Sequence, residues 1–309
     1  MKMNHRRPIL TFSLALMLFA VSCDRFDGDV TVPAFLKIDA MTVVDNPSNS
    51  WSQEKGFFSS NIDCVNVVLW KRGDTAETNL GTFQLPCKLP VLREGLIDYI
   101  RITPVVRQNG IAGTRISYPF YQTITLDSVR LAPDSVTDFG TIQTRYISKS
   151  SMRVVWKEFF EPGPGNISLD SVVSRCYSTD TIHPQYGDYG CGVVRVAANQ
   201  SSVSFGTDTT YNVSDPLAIL YLEMDYLSDF DFSVGLKNPI YSGGPVNSIS
   251  HMKVFANADK GWKKIYINIG STWSQDFNHY PDIRPYFTIF NSEGRSGNLY
   301  IDNVKLITM

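Results

Sequence analysis

The chain has 309 residues, and its 28 Lys and Arg against 30 Asp and Glu give a formal net charge of −2. A general nucleic-acid-binding protein needs a surplus of basic side chains on one surface, and this balance argues against one. Aromatic residues make up 12% of the chain, and 21 glycines and 16 prolines indicate many turns between folded segments. The composition therefore predicts folded domains and excludes a low-complexity polymer.

The N-terminus has the pattern of an export signal. Lys2, Arg6 and Arg7 are followed by fourteen residues without a charge, ILTFSLALMLFAVS, and then by Cys23. A helix that crosses a bilayer needs about 20 apolar residues, so this run is too short to span one. Residues 1–22 are therefore predicted to be a signal peptide, whose removal would change the net charge from −2 to −5.

The four residues Ala20-Val21-Ser22-Cys23 resemble the lipobox of bacterial lipoproteins, in which a small residue precedes a cysteine that is acylated. The commonest lipobox has Leu where this chain has Ala20. The resemblance implies an acylated Cys23 that begins a tether, residues 23–31, and attaches the protein to a membrane. Each CH₂ of an acyl chain that is buried in the bilayer adds about 0.8 kcal/mol to membrane binding, so several acyl chains on one cysteine anchor a protein stably. The alternative is ordinary secretion with an unmodified Cys23.

Three acidic residues follow the cysteine at once: Asp24, Asp27 and Asp29. This cluster resembles the signal that sends lipoproteins of some Gram-negative lineages to the outer face of the outer membrane. We therefore expect a location in the outer membrane, facing the cell exterior. Two alternatives stay open. In the sorting rule of enteric bacteria, Asp24 after the cysteine would retain the lipoprotein in the inner membrane. The acidic residues would otherwise belong to a solvated tether with no sorting role.

The remaining cysteines are spaced for local pairing. Cys64 and Cys87 are 23 residues apart, and Cys176 and Cys191 are 15 apart. An exported chain meets an oxidising compartment, so two disulfides are predicted, and a closed loop of about 15 residues contributes roughly 3 kcal/mol. Buried thiols are the alternative. A metal site is disfavoured because there is no C-x-x-C and no His at ligand spacing.

Residues 32–150 are predicted to form a β-sandwich, because short apolar runs of strand length alternate with turn residues. In DYIRITPVV, for example, Ile100 and Ile102 share one face of a period-two pattern.

The stretch from VVLWKRGD to GTRISYPFY resembles an N-terminal β-sandwich of uncharacterised surface lipoproteins of Gram-negative bacteria. The resemblance implies a supporting or spacer module with no known activity. Arg115, Tyr118 and Tyr121 are accordingly predicted to be packing and edge residues.

Residues 151–309 also read as strands joined by polar turns. In LYLEMDYL, apolar Leu222 and Met224 alternate with Glu223 and Asp225, which predicts a sheet with one buried and one solvated face. No helical block interrupts the strands. The whole chain is therefore predicted to be all-β, with two β-sandwich domains, the second a jelly roll.

The second half resembles the galactose-binding-like jelly-roll family, to which many carbohydrate-binding modules belong. The matching segments run in order along the chain: Phe160-Glu161, Gly190-Cys191-Gly192-Val193-Val194-Arg195, Trp262-Lys263-Lys264-Ile265 and Tyr300-Ile301-Asp302-Asn303-Val304. The resemblance implies the jelly-roll fold and glycan binding.

Many modules of this family hold a structural Ca²⁺ between the opening and closing strands. Glu161 and Asp302 match the positions of its two acidic ligands. Calcium takes six to eight oxygen ligands, so carbonyl groups near Gly190 would have to complete the shell. The alternative is that both acids are strand-end residues hydrogen-bonded to neighbouring loops.

Sugars are bound by flat aromatic faces beside a few polar groups that fix the hydroxyls. The densest supply is GSTWSQDFNHYPDIRPY, and a second is NPIYSGGPVN. The candidate ligand-binding residues are Trp273, Gln275, Asp276, Tyr280, Tyr286 and Tyr241. The alternative is that these aromatic side chains close the end of the sandwich core.

The sequence offers little for catalysis. It contains no G-x-S-x-G, no H-E-x-x-H and no phosphate-binding loop, and none of its four His lies in a nucleophile motif. Glu223 and Asp225 could form the acid pair of a glycoside hydrolase, but exposed like charges usually serve solubility. The sequence therefore predicts a non-catalytic envelope lipoprotein that binds glycan. The alternatives are a structural or adhesion component that docks another envelope protein, and a glycoside hydrolase.

Overall fold

A computed structural model describes residues 31–45, 56–160, 167–177, 190–213, 219–237, 248–275 and 281–309. The regular secondary structure of the described chain is almost entirely β-strand, in two consecutive sandwiches. The prediction of an all-β protein with two sandwiches is confirmed. Within the described part, no helix has the length and apolar character needed to cross a bilayer.

The N-terminal sandwich contains the strands β1 (Ala34–Ile38), β2 (Ala40–Val43), β3 (Cys64–Trp70), β4 (Thr78–Gln84), β5 (Cys87–Val91), β6 (Gly95–Arg107), β7 (Arg115–Ser117), β8 (Ile124–Leu131), β9 (Val136–Asp138) and β10 (Thr141–Thr144). One layer has the order β5-β1-β9 and continues into the pair β2-β10. The other layer has the order β4-β3-β6-β7, and β8 also pairs with β6.

The core of this sandwich follows from period-two patterns. In β1, Ala34, Leu36 and Ile38 are buried and the residues between them are half-buried. Ile100 and Ile102 of β6 are buried as well. Alternating side chains point to opposite faces of a strand, so each layer presents one apolar face to the other.

The C-terminal jelly roll contains the strands β11 (Arg153–Glu158), β12 (Val173–Cys176), β13 (Cys191–Val196), β14 (Ser202–Gly206), β15 (Tyr211–Asn212), β16 (Leu220–Ser228), β17 (Phe232–Lys237), β18 (Ser248–Val254), β19 (Lys263–Asn268), β20 (Asp282–Phe290) and β21 (Gly297–Thr308), and the short helix α1 (Gly270–Gln275). One sheet has the order β12-β13-β21-β16-β19, with β11 also paired to β21. The other has the order β14-β20-β17-β18, with β15 also paired to β20.

The two sandwiches share a buried junction. Tyr221, Tyr266 and Ile307 of the jelly roll belong to the apolar cluster of the N-terminal sandwich. At the edge of the sheet, the β6–β7 turn adds a parallel bridge between Gln108 and Tyr266, and Asn109 N donates to Tyr266 O at 2.8 Å. The edge of β19 is thereby covered, which removes an exposed row of backbone groups.

One prediction about β16 is wrong. Glu223 and Asp225 were expected on a solvated face, but both are 0% exposed. The N-terminal sandwich covers this face of the sheet, and Tyr118 Oη donates to Glu223 Oε1 at 2.7 Å from across the junction. The polar alternation is real, but the face it marks is an interface between two sandwiches.

Candidate functional site

The predicted aromatic residues do not form one group. Trp273 lies in α1, is 1% exposed and belongs to the jelly-roll core. Its backbone N donates to Ile269 O at 3.1 Å, which closes a helical turn and turns the indole inward. The prediction that Trp273 binds ligand is therefore corrected, since a ring with almost no accessible surface offers no platform.

Tyr286 is the predicted ligand-binding residue that the structure places on an open surface. Four of the others, Asp276, Tyr280, Tyr241 and the metal candidate Glu161, lie outside the described residues. Gln275 is the last residue of α1, and its side chain is also outside the description.

Strand β20 places Tyr286 by simple alternation. Phe287 and Ile289 are buried in the jelly-roll core, whereas Tyr286 and Thr288 are half-buried and Phe290 is 45% exposed. Three successive outward positions of one strand therefore carry an aromatic ring, a hydroxyl group and a second aromatic ring.

The ring of Tyr286 lies between two glycines. Gly206 of β14 and Gly235 of β17 are its register partners on either side. A Cβ on Gly206 would lie 2.8 Å from the carbonyl oxygen of Pro285 and 3.3 Å from Cδ2 of the Tyr286 ring. A Cβ on Gly235 would lie 2.0 Å from the carbonyl oxygen of Ile249. Neither partner can carry a side chain here, so none crowds the phenol from these positions.

Polar groups surround the two rings. Ser204 Oγ and Thr288 Oγ1 lie 3.0 Å apart, and Ser233 is the partner of Thr288 on the other side. Lys237 Nζ lies 5.3 Å from the centroid of the Tyr286 ring, a cation–π distance. We name the surface formed by Ser204, Tyr286, Thr288 and Phe290 the Tyr286 face.

A charged pocket of about 180 Å³ lies at the Phe290 end of the Tyr286 face. Its lining includes Asp231, Lys253, Asn291, Glu293 and Arg295. Lys253 Nζ lies 2.7 Å from Asp231 Oδ2, and this hydrogen bond holds the pKa of Asp231 below its ordinary value although partial burial acts in the opposite direction. The face thus runs from an aromatic strip into a pocket with both signs of charge.

A second polar cluster, which we call the junction cluster, is closed to solvent. Glu223 Oε2 lies 3.0 Å from Lys305 Nζ and 3.6 Å from Lys264 Nζ, and it also accepts a hydrogen bond from Tyr146 Oη at 2.9 Å. Asp225 lies 3.9 Å from Lys264 Nζ.

Burial and charge oppose each other in the junction cluster. Burial alone would raise the pKa of Glu223, but the cations of Lys305 and Lys264 hold it below its ordinary value. Burial lowers the pKa of Lys305 to about 8 despite the attraction of Glu223. Because these groups are shielded from solvent, the pair Glu223 and Asp225 has no access for a substrate, which corrects its candidacy as a hydrolase acid pair.

The N-terminal residues predicted for packing border this cluster. Tyr118 and Tyr121 are 2% and 4% exposed, and their rings lie 4.7 Å apart between centroids. Arg115 lies in β7, at the edge of its sheet. The hydroxyl of Tyr118 anchors Glu223, a contact that the sequence pattern does not reveal.

Asp302, the described member of the predicted calcium pair, is 0% exposed on the junction side of β21, opposite Asp225 in register. Its Oδ1 accepts a hydrogen bond from Asn303 N at 2.7 Å. Among the described residues there is no group of three or more His, Cys, Asp or Glu that could hold a metal ion. Since Glu161 is outside the description, the calcium site stays a prediction.

The cysteine pairs also stay predictions, with one favourable placement. Cys176 and Cys191 are direct partners in the antiparallel register of β12 and β13. Such partners have Cα atoms about 4.5–5.5 Å apart, within the range of a disulfide. Burial raises the pKa of the thiols of Cys64 and Cys87.

No protein-family model matches this chain, and no curated protein matches it. It is similar in structure to a family 30 carbohydrate-binding module of the cellulosomal cellulase Cel9D-Cel44B of Clostridium thermocellum, with 15% identity over 50% of this chain and 91% of that one and a TM-score of 0.33. A second similar structure is TmCBM61 in complex with β-1,4-galactotriose, with 17% identity, 50% and 97% coverage and a TM-score of 0.31.

A third similar structure comes from work on the promiscuous specificity of carbohydrate-binding modules of the β-sandwich superfamily. It has 13% identity, covers 89% of this chain and 98% of that one, and gives a TM-score of 0.35. No residue role passes to this chain from these likenesses, and the candidate site rests on the geometry of the Tyr286 face.

Proposed function

We propose that this protein is a non-catalytic cell-envelope lipoprotein whose jelly roll binds glycan on the Tyr286 face. The observation that carries the proposal is the outward series on β20, where Tyr286, Thr288 and Phe290 present ring, hydroxyl and ring on an accessible sheet. The lipobox-like segment that ends at Cys23 supports attachment through an acylated cysteine, and the acidic residues after it support the outer face of the outer membrane.

The chemistry of a sugar ring matches this surface. One face of a pyranose is apolar and stacks on phenol or phenyl rings, while its equatorial hydroxyls reach polar groups beside them. Ser204 and Thr288 lie between the two rings, and Lys237 borders the phenol. Side chains four residues apart on a strand are about 13 Å apart, which is longer than one sugar ring, so an oligosaccharide fits better than a monosaccharide.

A second function, docking of another envelope protein, is favoured by one observation. Phe255 is 67% exposed. Phe232 pairs with Val254 on one side and with Ile289 on the other, so Phe255 and Phe290 continue the neighbouring strands on either side of Asp231. Exposed aromatic pairs of this kind also serve protein contacts. Glycan binding and protein docking differ in the dependence on Tyr286, which lies away from Phe255 along the sheet.

We also propose, from the family resemblance, that Glu161 and Asp302 hold a structural calcium ion. A cation that binds only the folded state raises the melting temperature. Thermal unfolding of the chain in calcium and in a chelator tests this, and identical melting temperatures would rule the ion out.

The experiment for glycan binding uses a soluble chain, residues 24–309, on a glycan array that includes β-1,4-linked galactose oligosaccharides. The variants Tyr286→Ala and Phe290→Ala are compared with Tyr177→Ala, a matched control whose ring is 50% exposed after β12 of the other sheet. We expect each of the first two to weaken binding by about two- to tenfold, since contact with an aromatic ring contributes about 0.5–1.5 kcal/mol, and the control to bind as wild type.

Absence of glycan binding by the folded wild-type chain, with and without calcium, would overturn the glycan proposal. Binding that is equally lost in the Tyr177→Ala control would overturn the assignment to the Tyr286 face. In either case capture of an envelope protein that depends on Phe255 would establish the docking function instead.

A further inference from the structure

One end of the N-terminal sandwich collects the loops next to the tether. Strand β1 begins there, β5 ends and leads through residues 92–94 into β6, and β8 ends and leads through residues 132–135 into β9. The register places Ala34 opposite Val91 and Phe35 opposite Val136. Both loops therefore lie beside residues 31–33, where the described chain begins. We name this region the tether end.

The tether end carries most of the exposed apolar side chains of its sandwich. The described N-terminal sandwich has five exposed large hydrophobic residues: Val32 (48%), Leu92 (68%), Leu96 (47%), Ile111 (53%) and Val136 (45%). Four of them lie at the tether end, and the fifth, Ile111, lies in the β6–β7 turn at the opposite end. Single exposed apolar residues are ordinary, but a group of them at one end of a domain marks a contact surface.

The opposite end of the sandwich is occupied by the jelly roll. Asn109 of the β6–β7 turn donates to Tyr266 O, and a Cβ on Gly110 would lie 3.2 Å from Cδ1 of Ile265. The jelly roll therefore cannot cover the tether end, whose apolar residues face away from it.

Charges at the tether end are balanced. Arg93 Nη1 lies 2.6 Å from Asp74 Oδ1, and Arg72 Nε lies 3.8 Å from Asp98 Oδ1. A surface with paired charges around exposed aliphatic side chains gains little binding free energy from a strongly charged partner. It matches the interfacial layer of a lipid bilayer, which accepts both polar and aliphatic groups.

The length of the tether brings this surface to a bilayer. Thr31 follows Cys23 by eight positions, and eight extended residues span at most about 28 Å. This step rests on the proposed acylation of Cys23. If the cysteine is anchored, the tether end is the part of the folded protein held nearest the membrane.

We propose that the tether end contacts the bilayer, with Leu92 and Leu96 entering its interfacial layer beside Val32 and Val136. The N-terminal sandwich then contacts the membrane through its tether end. The jelly roll, attached at the opposite end, is held away from the lipid with its ligand face in the aqueous phase.

The experiment uses the full lipidated chain in phosphatidylcholine and phosphatidylethanolamine vesicles. Leu92→Trp places a reporter at the tether end, and Ile111→Trp places a control reporter on another exposed aliphatic site at the opposite end. Interfacial side chains lie about 5–10 Å into the headgroup and acyl boundary, so brominated lipid should remove about half or more of the emission added at position 92. Emission added at position 111 should not change.

Two results would overturn the proposal for an anchored chain. Emission at position 92 that is not quenched means that the tether end stands clear of the bilayer, and equal quenching at both positions means that the molecule lies on its side. Vesicle flotation of the wild-type chain and of Cys23→Ala tests the anchor separately. If the two float equally poorly, the anchor and this inference fail together, while glycan binding by the soluble chain is unaffected.

Discussion

At the scale of single residues, the two glycines beside Tyr286 give the most direct test of the face. Gly206→Ala would put a methyl group 2.8 Å from a backbone oxygen and against the Tyr286 ring. Overpacking of this kind costs about 1–3 kcal/mol, so the urea midpoint should fall. Gly113→Ala is the control, since nothing lies within 4 Å of its Cβ, and it should stay within about 0.5 kcal/mol of wild type. Equal midpoints for both variants would contradict the packing described here.

Lys305 is the residue of the junction cluster whose replacement should reduce stability most. Its Nζ also donates to Phe57 O and Tyr146 Oη, both at 2.5 Å, so Lys305→Met leaves buried acceptors and the carboxylate of Glu223 without their nearest donor. Removal of one partner of a buried pair costs about 3–5 kcal/mol. In a double-mutant cycle, Glu223→Gln with Lys305→Met should lose less than the sum of the single changes, measured by chemical denaturation. Strict additivity would show that the two side chains do not interact.

At the scale of elements, the alternation along a strand was predictable from the sequence, but the part of the molecule that packs against each face was not. The alternation in β16 predicts its apolar face correctly, since Leu222 and Met224 lie in the core. It cannot identify what covers the other face, because Tyr146 and Tyr118 are 77 and 105 residues away from Glu223 in sequence. Long-range complementarity of this kind leaves no local period.

The helix α1 shows a second limit of the sequence. Its six residues, GSTWSQ, are too short to display a helical period, so Trp273 was indistinguishable from a loop aromatic. Tyr286 was predicted from the same aromatic stretch, but the structure places it inside β20, where the alternation of DIRPYFTIF leaves it on the outward side. The open surface around it depends on Gly206 and Gly235, which only the strand register brings to its sides.

The pairing of β12 with β13 leads to a prediction about Cys176 and Cys191. The proposed export would bring these register partners into an oxidising compartment, where they should form a disulfide, and the closed loop of about 15 residues should contribute roughly 3 kcal/mol. Peptide mapping without reduction should recover the two cysteines in one linked fragment, and reduction should lower the melting temperature. Cys176→Ser should melt like the reduced protein. Complete alkylation of both thiols before reduction would contradict the pairing.

At the scale of the whole molecule, the junction makes the two sandwiches one unit. It joins apolar residues of both halves in a single cluster and buries the charged pair of Glu223 and Lys305, whose Oε2 and Nζ atoms lie 3.0 Å apart. Interfaces between domains that move independently are more polar than this junction, and relative motion is expected unless the interface is large and apolar. The two sandwiches should therefore hold a fixed relative orientation, so that a support at the tether end also orients the Tyr286 face.

The junction also determines how the molecule responds to alkali. Burial raises the pKa of Tyr118, Tyr121, Tyr146 and Tyr266 well above 10. A group whose pKa is raised in the folded state stabilises below its unfolded pKa and loses this contribution as the pH rises, so stability should fall above about pH 10. Lys305 acts in the opposite direction, because burial lowers its pKa from 10.5 to about 8. Between these two pH values the folded chain has already lost the proton that the unfolded chain still holds, so this group makes the folded state more stable as the pH rises.

We therefore expect little loss of stability from these groups between pH 8 and 10 and a cooperative loss above it. In a tyrosinate absorbance titration, Tyr118, Tyr121, Tyr146 and Tyr266 should ionise only when the chain unfolds, and circular dichroism follows the unfolding. Tyr118→Phe should reduce the amplitude of that step by one tyrosine, whereas Tyr177→Phe, whose ring is 50% exposed outside the junction, should leave the step unchanged. Ionisation of the junction tyrosines in a folded protein would mean that water reaches the junction and that the two sandwiches separate without unfolding.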